Sequence, residues 1–112
     1  MRFMTPPLGE FEQLVLLALL RLGRDAYGAT VRREIESRAG REVAISAVYT
    51  TLERLERKGY VRSRVGEPTA ERGGRRRRHF ELRPSGAQAL RAAYEAFTGM
   101  TAGLERQLKA LG

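Results

Sequence analysis

The chain contains no cysteine, so disulfides, thiolate metal sites and thiol catalysis are excluded. Histidine is nearly absent as well. The single one, His79, stands beside four arginines with no second ligand type near it, so an outward-facing strand position is expected rather than a metal site or a general base. Long apolar runs are also missing. The longest, Leu14–Leu20, falls far short of the roughly 20 residues that a membrane-spanning helix needs. No secretory signal is recognisable, because Glu10 and Glu12 precede that short run and no small-residue cleavage site follows. A cytoplasmic protein with no membrane partner is expected. A phosphate-cradling glycine motif is lacking too, since Gly73-Gly74 leads into a strand pattern and not a helix. Glu53 and Glu56, three residues apart among arginines, fit surface ion pairs better than an acid/base couple. No catalytic residue, metal site or cofactor is expected, and the chain does not look like an enzyme.

What is abundant is positive charge. Lys and Arg number 21 against 13 Asp and Glu in 112 residues, a formal net charge of +8. Such a balance favours a polyanionic partner, nucleic acid before an anionic membrane surface. The length suits one domain with a modest core that would gain from burial against a partner.

In chain order, Met1–Leu8 is an arm, because Pro6 and Pro7 hold the residues before them extended. A first helix begins near Gly9 or Glu10, and through Leu14–Leu20 it is apolar all the way round, so it needs cover on both sides. Gly23 ends it, and Asp25 is placed to cap a second helix over Tyr27–Ala39 with Tyr27, Val31 and Ile35 on one face. Arg41–Ile45 alternates, which is enough for one brief strand. A third helix follows, with Ser46 as its expected N-cap and Gly59 as its stop. After Gly59 the period changes to two. Tyr60–Val65 predicts a strand with Val61 and Val65 inward, Gly66–Gly74 a turn or loop, and Arg75–Leu82 a return strand with Phe80 and Leu82 inward. Ser85 and Gln88 form a capping box at the start of a last, long helix. On it Leu90, Tyr94, Phe97, Thr101, Leu104, Leu108 and Leu111 repeat at alternating spacings of four and three, a heptad seam with Met100 compensating at Thr101. Gly99 and Gly103 either admit a close neighbour or mark a bend.

This order predicts a mainly α (α+β) fold, a winged helix-turn-helix with a long C-terminal dimerisation helix. Residues 1–8 form the arm, 9–83 the DNA-binding domain and 84–112 the dimerisation element. The third helix carries a core stripe of Val48, Leu52 and Leu55. Its opposite face offers Ser46, Ala47, Thr50, Thr51 and Arg54, residue types able to read base edges in a major groove. Alone, it could equally be an ordinary surface helix. The arginines at the hairpin, Arg72, Arg75, Arg76, Arg77 and Arg78, could alone be a solvated charge run. Placed beside the third helix they make a basic wing that neutralises phosphates. Double-stranded DNA and a second copy of the chain are the expected partners. A basic RNA-binding or ribosome-associated winged helix is the alternative, and a protein-binding adaptor a third, which the basic wing argues against.

Three stretches together resemble PadR-family transcriptional regulators: Glu10–Leu20 with Ala26-Tyr27-Gly28, Ser46–Val61, and Gly74–Gly86. The sequence departs from the family pattern in having Ala47-Val48 before the tyrosine and His79-Phe80 in place of tyrosines. The resemblance implies a homodimeric repressor of the short subfamily with the last helix as the dimer element. It points to Tyr49 as a contact to the DNA backbone, with a packed aromatic as the alternative, and Lys58 is a second expected backbone contact. It also implies a small hydrophobic or aromatic effector at the dimer interface, often held in this subfamily by tryptophan, which this chain lacks.

Overall fold

The computed structural model describes residues 7–66 and 77–112. Most of the arm, most of the Gly66–Gly74 loop, and the wing residues Arg72, Arg75 and Arg76 therefore lie outside the described residues.

Helix α1 (Glu10–Leu22) starts where Glu12 accepts the Gly9 N–H at 2.8 Å. Val15, Leu16, Ala18 and Leu19 are buried against the rest of the domain, whereas Leu17 and Leu20 are exposed. An all-round apolar run thus leaves one side without cover. A short 3-10 turn, Gly23–Asp25, follows. Asp25 belongs to that turn and does not cap the next helix. The entry to α2 (Gly28–Ala39) is held instead by Thr30, whose hydroxyl accepts the Tyr27 N–H at 3.0 Å and donates to the Asp25 carbonyl at 2.6 Å.

The brief strand expected at Arg41–Ile45 does not form. Residues 40–44 carry no regular structure, and the Val43 N–H donates to the Glu36 carboxylate at 3.1 Å where a strand partner would otherwise be. The third strand-like contact of the sheet comes from a different place: Phe80 N–H donates to the Ala26 carbonyl at 2.9 Å, and Tyr27 bridges His79.

Helix α3 (Ile45–Arg57) has Ala44 as its N-cap, so Ser46 sits inside the first turn and is not the cap. Val48, Leu52 and Leu55 are fully buried. The helix ends as its glycine demands. Gly59 has φ 82° and the Tyr60 N–H turns back to the Leu55 carbonyl at 3.0 Å, a left-handed stop.

Strands β1 (Val61–Val65) and β2 (Arg78–Leu82) pair antiparallel, with Val61 opposite Leu82, Ser63 opposite Phe80 and Val65 opposite Arg78. Val61 and Phe80 are buried, but Val65, expected inward, is 62% exposed. It shares a face with Val61, yet by its position near the hairpin tip the sheet has outrun the core.

The last segment is two helices, not one. Helix α4 (Pro84–Thr101) is capped by Arg83 with Pro84 in its first turn. Ser85 spends its hydroxyl on the Gly59 carbonyl at 2.6 Å, so the expected capping box is not made. Gly103, at φ 83°, breaks the chain direction, and α5 (Glu105–Ala110) follows. The core lies among α1, α2, α3, the hairpin and Leu90 at the base of α4. The architecture is a mainly helical winged helix with a two-stranded wing. Among the described residues no helix is long and apolar enough to cross a membrane.

Candidate nucleic-acid interface

Helix α3 divides its residues between core and surface as its period of 3.6 dictates. Ser46, Ala47 and Thr50 are exposed. Thr51 is not: at 3% exposure it belongs to the core side, because it lies three residues after Val48 and four before Leu55. It is therefore removed from the surface that could meet a base edge. Tyr49 stays 38% exposed with its ring laid over Gly28 at the start of α2. A Cβ at Gly28 would overlap Cζ and Oη of that ring and come within 2.7 Å of Cε2. The absence of a side chain at Gly28 is what lets the ring lie there.

The two cations expected to reach DNA from this helix have a protein partner. Arg54 Nε donates to Glu12 Oε2 at 3.1 Å, and Lys58 Nζ donates to the same oxygen at 2.8 Å. Oε1 of Glu12 takes the Gly9 N–H. Burial pushes the Glu12 carboxyl up, but hydrogen bonds from Lys58, the Gly9 N–H and Arg54, with the Lys58 charge, outweigh it and hold the group below the usual carboxylate range. From the sequence alone, Glu12 is only a charge ahead of the apolar run. The available signal is a carboxylate two residues before an all-apolar run, together with Arg54 and Lys58 one turn apart at the end of α3. Nothing local connects residues 42 and 46 positions apart.

At the wing, Arg77 and Arg78 point to opposite sides of the strand, as alternation requires. Arg77 lies 4.5 Å over the Tyr27 ring and donates to its hydroxyl at 2.8 Å. Arg78 lies 4.9 Å over Phe80, and pairs with Glu56 at 2.6 Å and Glu53 at 3.6 Å. Glu56 also accepts the Ser63 N–H and hydroxyl at 3.2 and 2.8 Å. Glu53 and Glu56 thus bind the wing to α3. His79 is half-buried, with its ring edge-on to Tyr27 at 5.4 Å and Nδ1 3.2 Å from the Arg77 carbonyl.

The expected heptad seam is not a single line. Leu90 is buried in its own domain, whereas Tyr94, Phe97 and Met100 are exposed on α4. Thr101 ends α4, and Leu104, Leu108 and Leu111 are exposed on the far side of the break at Gly103.

The sequence profile described as "Transcriptional regulator PadR-like family" matches residues 16–92. Among solved structures, the chain is similar to a PadR family transcription regulator from hypervirulent Clostridium difficile R20291, at 20% identity over 89% of this chain and 99% of that one, with a TM-score of 0.72. It is also similar to a PadR-like transcriptional regulator from Bacillus cereus strain ATCC 14579, at 15% identity over 91% and 93%, TM-score 0.70. A third similar structure is a PadR family transcriptional regulator from Eggerthella lenta DSM 2243, at 23% identity over 91% and 88%, TM-score 0.65. No curated protein matches the chain.

Proposed function

Because the chain belongs to the PadR-like family of DNA-binding transcriptional regulators, we propose that it is a homodimeric repressor reading a palindromic operator with α3 and its basic wing. The observation that carries this reading is the outer face of α3, where Ser46, Ala47 and Thr50 stand exposed beside Tyr49 on a chain of net charge +8. Hydroxyls of Ser and Thr bond base edges, and the methyls of Ala and Thr meet thymine C5-methyl groups. Arg54 flanks this patch. Its bond to Glu12 uses only Nε, and 42% of its side chain is exposed, so the rest of its guanidinium fork is available to a guanine. Tyr49 is assigned to the DNA backbone, as are Arg72, Arg75 and Arg76 of the wing. Arg77 and Arg78 brace the wing against Tyr27 and α3.

Residues 9–83 then act as the DNA-binding unit and 84–112 as the dimer element. Tyr94, Phe97, Met100, Leu104, Leu108 and Leu111, with Leu17 and Leu20 of α1, are large apolar side chains left exposed to water, and a second copy is the natural cover. A small hydrophobic or aromatic effector would bind at that interface, with Tyr94 and Phe97 supplying its aromatic walls. We place the protein in the cytoplasm, with its DNA.

Selection of bound duplexes from a random pool, followed by footprinting, tests the reading. Two symmetric half-sites about 34–36 Å apart, or a multiple of that, are expected. A single asymmetric half-site, or a monomer in sedimentation at micromolar concentration, would overturn the dimeric mechanism.

A further inference from the structure

Among the described residues, Glu12 is the only buried charged side chain, at 5% exposure, and it lies on a different helix from the one assigned to the groove. A carboxylate taken from water is costly unless it is paired and its oxygens are satisfied. Here both oxygens are in use: Gly9 N–H on Oε1, Arg54 Nε and Lys58 Nζ on Oε2. Arg54 and Lys58 are one turn apart on α3, so one oxygen of α1 can hold both. A cation that donates to an internal carboxylate is not offering that charge to a phosphate.

We propose that Glu12 is a positioning residue for DNA recognition: it withholds Arg54 and Lys58 from sequence-indifferent phosphate binding and fixes the Arg54 guanidinium, through Nε, toward a base edge. The inference rests on the DNA-binding reading of α3 and replaces the role the sequence suggests for Lys58, which becomes a holding contact and not a backbone contact. Glu12 thereby trades affinity for discrimination. Sequence-indifferent binding scales with the number of cations that displace counterions, whereas the base contact depends on a guanidinium held in one orientation.

The test uses Glu12→Gln, which keeps the size and one acceptor oxygen but removes the charge. Binding is measured against a random-sequence duplex and against a duplex selected by the wild-type protein, at salt concentrations spanning fourfold. Release of one or both cations should steepen the slope of log K against log salt by about 0.9 to 1.8 for the random duplex. The same fourfold rise in salt then weakens the variant by a further roughly 3- to 12-fold relative to wild type. Preference for the selected duplex should fall about tenfold, in the range set by one lost bidentate base contact. A merely structural role for Glu12 would lower the folded fraction and leave the slope alone. Lys58→Ala supplies a second arm that does not depend on how well E12Q folds. In the wild-type background it should leave the slope unchanged, and in the E12Q background it should remove about 0.9 of the steepening. An unchanged slope in E12Q, or a slope reduced by about 0.9 in Lys58→Ala alone, overturns the inference while leaving the DNA-binding reading intact. Wild-type protein that binds neither duplex overturns that reading, and the inference with it.

Discussion

Gly28→Ala is the sharpest single perturbation of the α2–α3 junction. The added Cβ would overlap Cζ and Oη of Tyr49 and lie 2.7 Å from Cε2, so the ring has to move by an ångström or more. Overpacking of this kind costs about 1–3 kcal/mol. Alanine recovers up to about 1 kcal/mol of helix propensity over glycine, less so in the first turn. The net loss should therefore be small, about 0–2 kcal/mol, because the ring is 38% exposed and has solvent to move into. In a Tyr49→Ala background the obstacle is gone, and the same Gly28→Ala change should stabilise by up to about 1 kcal/mol. The coupling between the two positions is then about 1–3 kcal/mol, read from urea unfolding of the four proteins of the cycle. Duplex affinity, followed by fluorescence anisotropy, should fall in Gly28→Ala although the fold survives, because Tyr49 has left its place beside Thr50. Additivity within about 0.5 kcal/mol would refute the packing argument. Retained affinity would refute the role of the ring.

Phe80→Ala removes the largest of the fully buried side chains and should cost about 3–5 kcal/mol in a thermal or urea melt; a loss under 1 kcal/mol would mean that the wing is not part of the core. Glu12 has a folded pKa below its ordinary value of 4.5. Its contribution is thus fully present above that value and disappears as pH falls through the lower folded one. The stability gap between wild type and Glu12→Gln should therefore hold from pH 7 down to about 4.5 and narrow as the pH falls further in urea melts, and a gap independent of pH would refute the ion-pair account. Thr50→Ala should relax sequence preference at an unchanged salt slope, whereas Arg76→Ala should weaken every duplex alike and lower the slope by about 0.9. Equal effects of the two on selected and random DNA would remove the distinction between reader and phosphate contact.

Periodicity and glycines made most of this fold legible. Val48, Leu52 and Leu55 announce α3, Gly59 ends it, and the switch to alternation after it announces the hairpin. These signals are local, because helix and strand periods are properties of a dozen residues. The misreadings fall where a longer-range partner takes over. Ser85 reads as a cap, but Gly59, 26 residues away, claims its hydroxyl. Val43 reads as strand, but the Glu36 carboxylate claims its N–H. Alternation placed Val65 inward without knowing where the core would stop. Residue type suggests a surface role for Thr51, whereas its spacing from Val48 and Leu55 puts it inside. The interface shows the same division. Ser46, Ala47 and Thr50 were readable on the α3 face, but the Glu12 pairing joins residues far apart in the chain and leaves no pattern in either stretch.

The left-handed Gly103 has a consequence for assembly. A straight heptad stripe is nearly indifferent to sliding by seven residues, and natural coiled coils spend a polar core position to stop that slippage. A stripe broken into two facets has no such ambiguity. Tyr94 and Phe97 face one direction on α4, and Leu104 and Leu108 start afresh on α5, so a partner that covers both must match a corner rather than a line. Shifted alignments would cover one facet and strand the other. In the dimer we propose, a single glycine would therefore do what a buried asparagine does for a zipper, setting the register by shape.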